Sequence, residues 1–246
     1  MSRKEYLLVN SEDRDTLSIS SSDFIIDLGK VYSGVKKIRL LSYTIANTIY
    51  TVNSNNYRFF FVEQSGGGSV AVSLTQQNYN GSTLSTHVAA AMTALSANGY
   101  TYVGAYDSNT LKMTISTTNN FSMTFNNGAS AYKILGFDKN PSATLISTTH
   151  TSNNVIRLDQ SVALMETNFT NHLKTTNDSV NASFLLKLSA SGSTDSVGTN
   201  NTYDYEVDDL NLSFNQIKIR LKNLENKTLP LNGSDNIFLF EIITEK

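Results

Sequence analysis

Apolar and polar residues alternate with a period of two along most of the chain, the signature of strands with one face on a core and the other in water. Leu111, Met113 and Ile115 alternate with Lys112, Thr114 and Ser116. After Thr118-Asn119-Asn120 the alternation resumes with Phe121, Met123 and Phe125, which predicts a hairpin turning at 118–120. Three further sets read the same way: Val70, Val72 and Leu74; Phe184, Leu186 and Leu188; Ile217, Ile219 and Leu221. Turn signals separate these runs at Gly66-Gly67-Gly68, Asn98-Gly99, Asn127-Gly128 and Asn232-Gly233-Ser234. Asn-Gly pairs accept the positive φ that tight hairpins need. Short strands with frequent turns predict an antiparallel sandwich or barrel rather than βαβ units.

One stretch departs from period two. Over 82–97, Leu84, Val88, Met92 and Leu95 fall at helical spacing among small Ala residues. Ser82 or Thr83 can cap its start and Asn98-Gly99 can end it, so one helix inserted among the strands is expected. A second helical stretch is expected over 160–169. Residues 189–202 hold Ser, Gly, Thr and Asn with almost nothing apolar, and read as a long flexible loop. No linker-like composition and no repeat divides the chain, so a single domain over 1–246 is expected.

Composition agrees with β structure. Hydrophobic residues make up 39% and charged residues only 16%, the polar remainder being rich in Ser, Thr and Asn, which favour strands and turns over helix interiors. The formal net charge of -2 supplies no global positive field, so specific or bulk nucleic-acid binding is not expected. Lys36, Lys37 and Arg39, and likewise Lys218, Arg220 and Lys222, largely alternate with apolar residues and read as solvated strand faces. The absence of Cys excludes disulfides and thiolate metal sites. The basic start, Met1–Lys4, is followed by no apolar run of signal-peptide length, and no run reaches transmembrane length, so neither secretion nor a membrane span is expected. Asn-x-Ser/Thr triplets, as at Asn120, Asn168 and Asn226, follow from the composition.

Candidate chemistry is sparse, and neither catalytic, cofactor-binding nor metal-binding residues are assigned. His87, His150 and His172 lack metal-ligand spacing and read as structural. No Gly-x-Ser-x-Gly elbow is present. Gly66-Gly67-Gly68-Ser69 is followed by a strand pattern and no Lys, which suits a hairpin tip better than a phosphate cradle. Asp204, Glu206, Asp208 and Asp209 alternate in part with Tyr203, Tyr205 and Val207, as in a strand with charges outward; a calcium loop is the alternative. Tyr100, Tyr102 and Tyr106, and the run Phe59-Phe60-Phe61, suit a core or a subunit contact, with a sugar-binding platform as the alternative.

Several segments in order resemble a known family. Asn10 to Asp15 precedes Ser22-Asp23-Phe24-Ile25-Ile26-Asp27-Leu28; then come Val35 to Ile45, an Asn-rich turn at Asn53 to Asn56, and Tyr57 to Val62. The helix after Asn78-Tyr79-Asn80, Ile134-Leu135-Gly136-Phe137, and the closing Ile217 to Leu221, Leu229 to Gly233 and Phe238 complete the order. Together they resemble the penton and minor capsid proteins of virophages, polinton-like viruses and related double-stranded DNA viruses. The resemblance implies a single jelly roll of eight main strands in two packed antiparallel sheets, with no catalytic residues. It implies a structural subunit of an icosahedral virion, foremost the five-fold penton as a homopentamer beside the major capsid protein. A minor or cement protein is the alternative within the family, and a glycan-binding or host-attachment module the alternative outside it. On this reading residues 1–9 form an extended arm able to add to a neighbour's sheet, while 189–202 and the loops at Asn53 and Gly66 are free for lateral contacts.

Overall fold

The computed structural model describes residues 2–64, 68–126, 128–139, 146–158, 160–169, 173–174, 181–188, 194–206 and 213–245. Its strands are β1 (Ser2–Asn10), β2 (Asp23–Tyr32), β3 (Val35–Ala46), β4 (Arg58–Glu63), β5 (Val70–Ser73), β6 (Val103–Asp107), β7 (Lys112–Thr124) and β8 (Ser147–Thr151). They continue with β9 (Val162–Thr167), β10 (Leu173–Lys174), β11 (Asn181–Ala182), β12 (Phe184–Lys187), β13 (Thr194–Glu206), β14 (Phe214–Lys222) and β15 (Asn236–Glu245). Helix α1 (Gly81–Leu95) and the single turn α2 (Tyr132–Leu135) complete the main elements. Where the sequence predicts one domain, the chain divides into two compact units, 1–49 with 160–246, and 50–159. The second unit occupies the connection between β3 and β9 without any linker-like composition at either junction, which is why the sequence pattern does not announce it.

The first unit is a sandwich of two four-stranded antiparallel sheets, ordered β1-β15-β3-β13 and β12-β9-β14-β2. Its pairing is nested: first strand with last (β1 with β15), then β2 with β14, β3 with β13, and β9 with β12. Strands alternate between the sheets except at the central β9–β12 pair, and this nested winding of eight strands defines a jelly roll. The expected all-β single jelly-roll fold is therefore what the chain adopts. Phe24 and Ile26 of one sheet, with Phe184, Leu186, Ile217 and Ile219, face Ile38, Leu40, Phe238 and Phe240 of the other, all buried. Each large side chain so buried contributes about 1.5–3 kcal/mol. In β3 the inward phase changes from Ile38 and Leu40 to Tyr43 and Ile45, because a bulge at Leu41 shifts the register against β15. Tyr43 then pins the sheets together: its hydroxyl donates to the Lys187 carbonyl at 3.0 Å and accepts the Lys187 N–H at 2.8 Å.

Three local expectations change in this unit. Residues 2–10 are not a free arm: β1 pairs with β15 from Ser2–Glu245 to Asn10–Ile237, burying Val9. The stretch read as a second helix, 160–169, contains β9, which lies between β12 and β14 and buries Ala163, Leu164 and Met165 in succession. A strand covered on both faces loses its period-two alternation, and Ala, Leu and Met then look helical. The segment read as a loop, 189–202, contributes Thr194–Thr202 to β13 alongside β3, with an irregularity between Gly198 and Tyr203; 189–193 lie outside the described residues.

The second unit is a sheet built on the long strand β7, which pairs with β4, β6 and β8, with β5 beyond β4. The hairpin expected at 118–120 is absent. Met113, Ile115, Phe121 and Met123 lie even numbers of residues apart, so all face the core along one continuous strand, and residues 117–120 only shift the register against β8. Leu111 precedes the strand in a left-handed turn (φ 56) and is exposed. Helix α1 starts close to where it is predicted, but its cap is Asn80. The Asn80 side chain accepts the Thr83 N–H at 2.8 Å while Thr83 Oγ1 accepts the Asn80 N–H at 3.0 Å. Leu84, Val88 and Met92 bury the helix on the sheet, where Gly104 of β6 lets the two backbones touch: a Cβ there would lie 2.0 Å from the Ser85 carbonyl oxygen.

Candidate assembly surface

The jelly-roll unit places unusual side chains on its outside. β1 is an edge strand, and its alternation turns Val9 inward while Tyr6 and Leu8 are each 65% exposed on the outer face. Register sets Leu8 beside Leu239 and Asn10 beside Ile237, which is also exposed, so an apolar stripe runs along the β1–β15 edge. Beside Tyr6 on the same face, buried Glu241 receives Lys4 Nζ at 3.3 Å and Arg39 at 2.9 Å, fixing this face by charge pairing across three strands. The connection from β1 to β2 adds Leu17 and Ile19, 84% and 81% exposed. These two are held out by an anchored backbone: Asp15 Oδ1 accepts the Leu17 N–H at 3.1 Å, and the Ile19 N–H donates to the Asp23 carbonyl at 3.1 Å. Ser11 ties the same connection to the approach to β15, donating to Asp235 at 2.9 Å and accepting the Asn236 N–H at 2.8 Å. Sequence reasoning missed Leu17 and Ile19; two aliphatics in a Ser-rich stretch between strands were the available signal.

Of the basic residues expected to be solvated, Lys218 is exposed, while several others are paired across strands. Lys36 meets Glu245 at 2.9 Å, and Arg220 meets Asp23 at 2.7 Å and Glu166 at 3.6 Å. Lys222 is buried and pairs with the same Glu166. Asp204 and Glu206 fall in β13 opposite Arg39 and Lys37 in register, a strand and not a loop; Asp208, Asp209, His172 and the Gly66-Gly67 tip lie outside the described residues.

Polar chemistry in the inserted unit is structural. Glu63, at the end of β4, accepts Ser96 Oγ at 2.5 Å, Tyr102 OH at 3.0 Å, and the Asn98 backbone and side-chain N–H groups at 3.2 and 2.7 Å. Burial pushes its carboxyl upward, but these donors outweigh burial and hold it below the usual carboxylate range. Burial, then the hydrogen bond to Glu63, pushes the Tyr102 phenol upward. His150 is buried edge-on against Phe121, its Nε2 2.9 Å from the Phe121 carbonyl, and burial lowers its pKa. His87 stacks on Tyr79 and accepts the Thr75 N–H at 3.2 Å; burial lowers its pKa too. Tyr102, Phe59 and Phe61 are buried and Tyr106 packs on the core, so these aromatics form no open platform. The Asn53 turn is bonded to itself, Asn56 Oδ1 accepting the Asn53 N–H at 2.7 Å. Among the described residues no cluster of three or more His, Asp or Glu could hold a metal, and no helix is long and apolar enough to cross a membrane.

By topology, then, the first unit is a single jelly roll with a packed interior and an apolar outer edge. No family model and no curated protein matches the chain. Among solved structures it is similar to the mavirus penton protein, at 12% identity and a TM-score of 0.39, over 99% of this chain and 98% of that one.

Proposed function

We propose that the chain is a structural subunit of an icosahedral virus capsid, acting by self-association rather than by catalysis, with the five-fold vertex as its position. Jelly rolls serve as capsid subunits, lectins and cupins, so topology alone does not choose among them. The observation that carries this reading is the filled interior of the sandwich. Phe24, Phe184, Phe238 and Phe240 occupy the space where a ligand-binding or metal-dependent roll keeps a cavity and polar groups, which leaves function to the outer surface. That surface offers an edge strand with no further strand beside it among the described residues, the Tyr6–Leu8 stripe, and anchored Leu17 and Ile19, features suited to docking another subunit. The ordered resemblance of its segments to penton and minor capsid proteins favours the same role. An edge of one copy meeting a different surface of the next is a head-to-tail contact, which makes a ring where the rotation between copies closes.

The absolute mass of the purified chain, by size-exclusion chromatography with light scattering, tests this. Five times the 27.1 kDa chain mass is expected. A trimer would move the assignment to a minor or cement protein. A monomer that also fails to join shells when co-expressed with its major capsid protein would overturn the assembly role.

A further inference from the structure

A cleft on the inserted unit collects positive charge from three separate segments. Lys112 opens β7, Lys133 lies on α2, and Lys139 and Arg157 follow α2 and β8. The strap containing Arg157 is stitched to both neighbours: the Asn154 N–H donates to the Gly136 carbonyl at 2.8 Å, the Arg157 N–H to Lys133 at 3.2 Å, and the Ile156 N–H to Leu111 at 3.0 Å. Gly136 (φ 73) permits this closeness, since a Cβ there would lie 2.4 Å from the Asn154 carbonyl oxygen. The cations are thus carried on a backbone frame fixed before any ligand arrives.

Among the described lining residues the one acid, Asp138, is taken up by amides. Asp138 Oδ2 accepts the Asn153 amide at 2.6 Å and Oδ1 the Asn154 amide at 2.8 Å. Among the described residues Lys112, Lys139 and Arg157 have no carboxylate within ion-pair distance, whereas Lys36, Arg39, Arg220 and Lys222 all do. Among the described residues, Lys112, Lys139 and Arg157 gather beside Lys133 in a concave site, on a chain of formal charge -2, where clustered cations raise the local positive potential. Half-buried Tyr132 contributes an aromatic wall, and the amides that hold Asp138 leave their Oδ1 oxygens as acceptors.

We propose that this cleft binds an anionic oligosaccharide, the cations taking its sulfate or carboxylate groups, the amide oxygens its hydroxyls, and Tyr132 its C–H face. Cations, amide acceptors and a partly buried aromatic side chain in one cleft suit a charged sugar, and a nucleic-acid backbone is the competing polyanion. The cleft belongs to the inserted unit and the β1 edge to the jelly-roll unit.

Calorimetric titration of the full chain with a heparin-derived octasaccharide at physiological salt tests the proposal, with the desulfated sugar and an oligothymidylate of similar charge run alongside. Binding of the sulfated sugar is expected, with little for the other two. The double variant Lys133→Glu, Arg157→Glu changes exposed side chains; it is expected to weaken binding about tenfold or more while melting like the parent. The variant Lys36→Glu, Lys218→Glu makes an equal charge change in the jelly-roll unit and is expected to bind like the parent. Absence of binding would overturn the proposal. So would equal binding of oligothymidylate, or equal loss from both double variants, because either marks a diffuse response to polyanions.

Discussion

Glu63 shows how a single side chain organises the inserted unit. Its four donors come from the end of α1 and the turn beyond it, so one carboxylate ties β4 to the segment leading into β6. Glu63→Gln keeps the size but replaces one acceptor oxygen with a donor that faces donors. Hydrogen bonds to a charged group are worth about 1.5–3 kcal/mol, and a loss of that order is expected in urea unfolding of the inserted unit. Because the folded carboxyl is held low, this contribution is present above the ordinary carboxylate range and is lost as pH falls through the lowered value. His150 works in a higher window. Burial lowers its pKa, so the unfolded chain takes up a proton near pH 6.5 that the folded chain refuses, and stability declines as pH drops below about 6.5. His150→Gln, which retains a donor for the Phe121 carbonyl, should flatten the dependence of the unfolding midpoint between about pH 7 and pH 5. An unchanged slope would exclude His150 as its source. Neither role was legible in the sequence: the partners of Glu63 lie 33 to 39 residues away, and one His among strand residues looks the same whether buried or exposed.

The elements that could be read were those whose signal is local. Helix α1 declares itself by spacing and by small residues, and β5, β12 and β14 by clean alternation, because each has one face on a core. Misreadings arose where a neighbour decides the structure. Central β9 is apolar on consecutive positions, and β13 is a strand through its backbone pairing with β3, which Ser, Thr and Asn permit but do not signal. The helix–sheet contact at Gly104 was equally silent, since glycine reads as a turn or a weak strand position. Gly104→Ala forces its Cβ against the backbone of Ser85, not against a movable side-chain tip, so α1 must shift off β6. A loss of about 2 kcal/mol or more, typical of overpacking, is expected in the melting of the inserted unit. Gly128→Ala meets no atom within 4 Å and provides the control, expected to melt like the parent.

At the scale of the whole molecule, the nested pairing of the jelly roll explains how one connection can carry a second folded unit. The strands that flank the insertion, β3 and β9, belong to different sheets, and their own partners, β13 and β12, come later in the chain. Neither flanking strand therefore needs anything from residues 50–159 to find its place. The order of apolar segments made the roll legible, but the division was not, because neither junction carries a linker-like Gly, Ser or Pro-rich stretch. The two ends of the gap lie close together in the first unit: Asn47 Nδ2 donates to the Gln160 carbonyl at 3.3 Å, and Thr48 is held by Leu231, Asn232 and Ser234. A short Gly/Ser bridge can thus replace 50–159 without stretching the chain. The excised protein is expected to keep a β-type circular dichroism spectrum, a single cooperative unfolding transition, and the same number of subunits per particle as the full chain. It should also lose the sulfated-sugar binding assigned to the cleft. Retained folding with a changed subunit number would place assembly contacts in the insertion instead of on the β1 edge. Failure of the sandwich to fold would mean that the two units form one cooperative structure despite their separate cores.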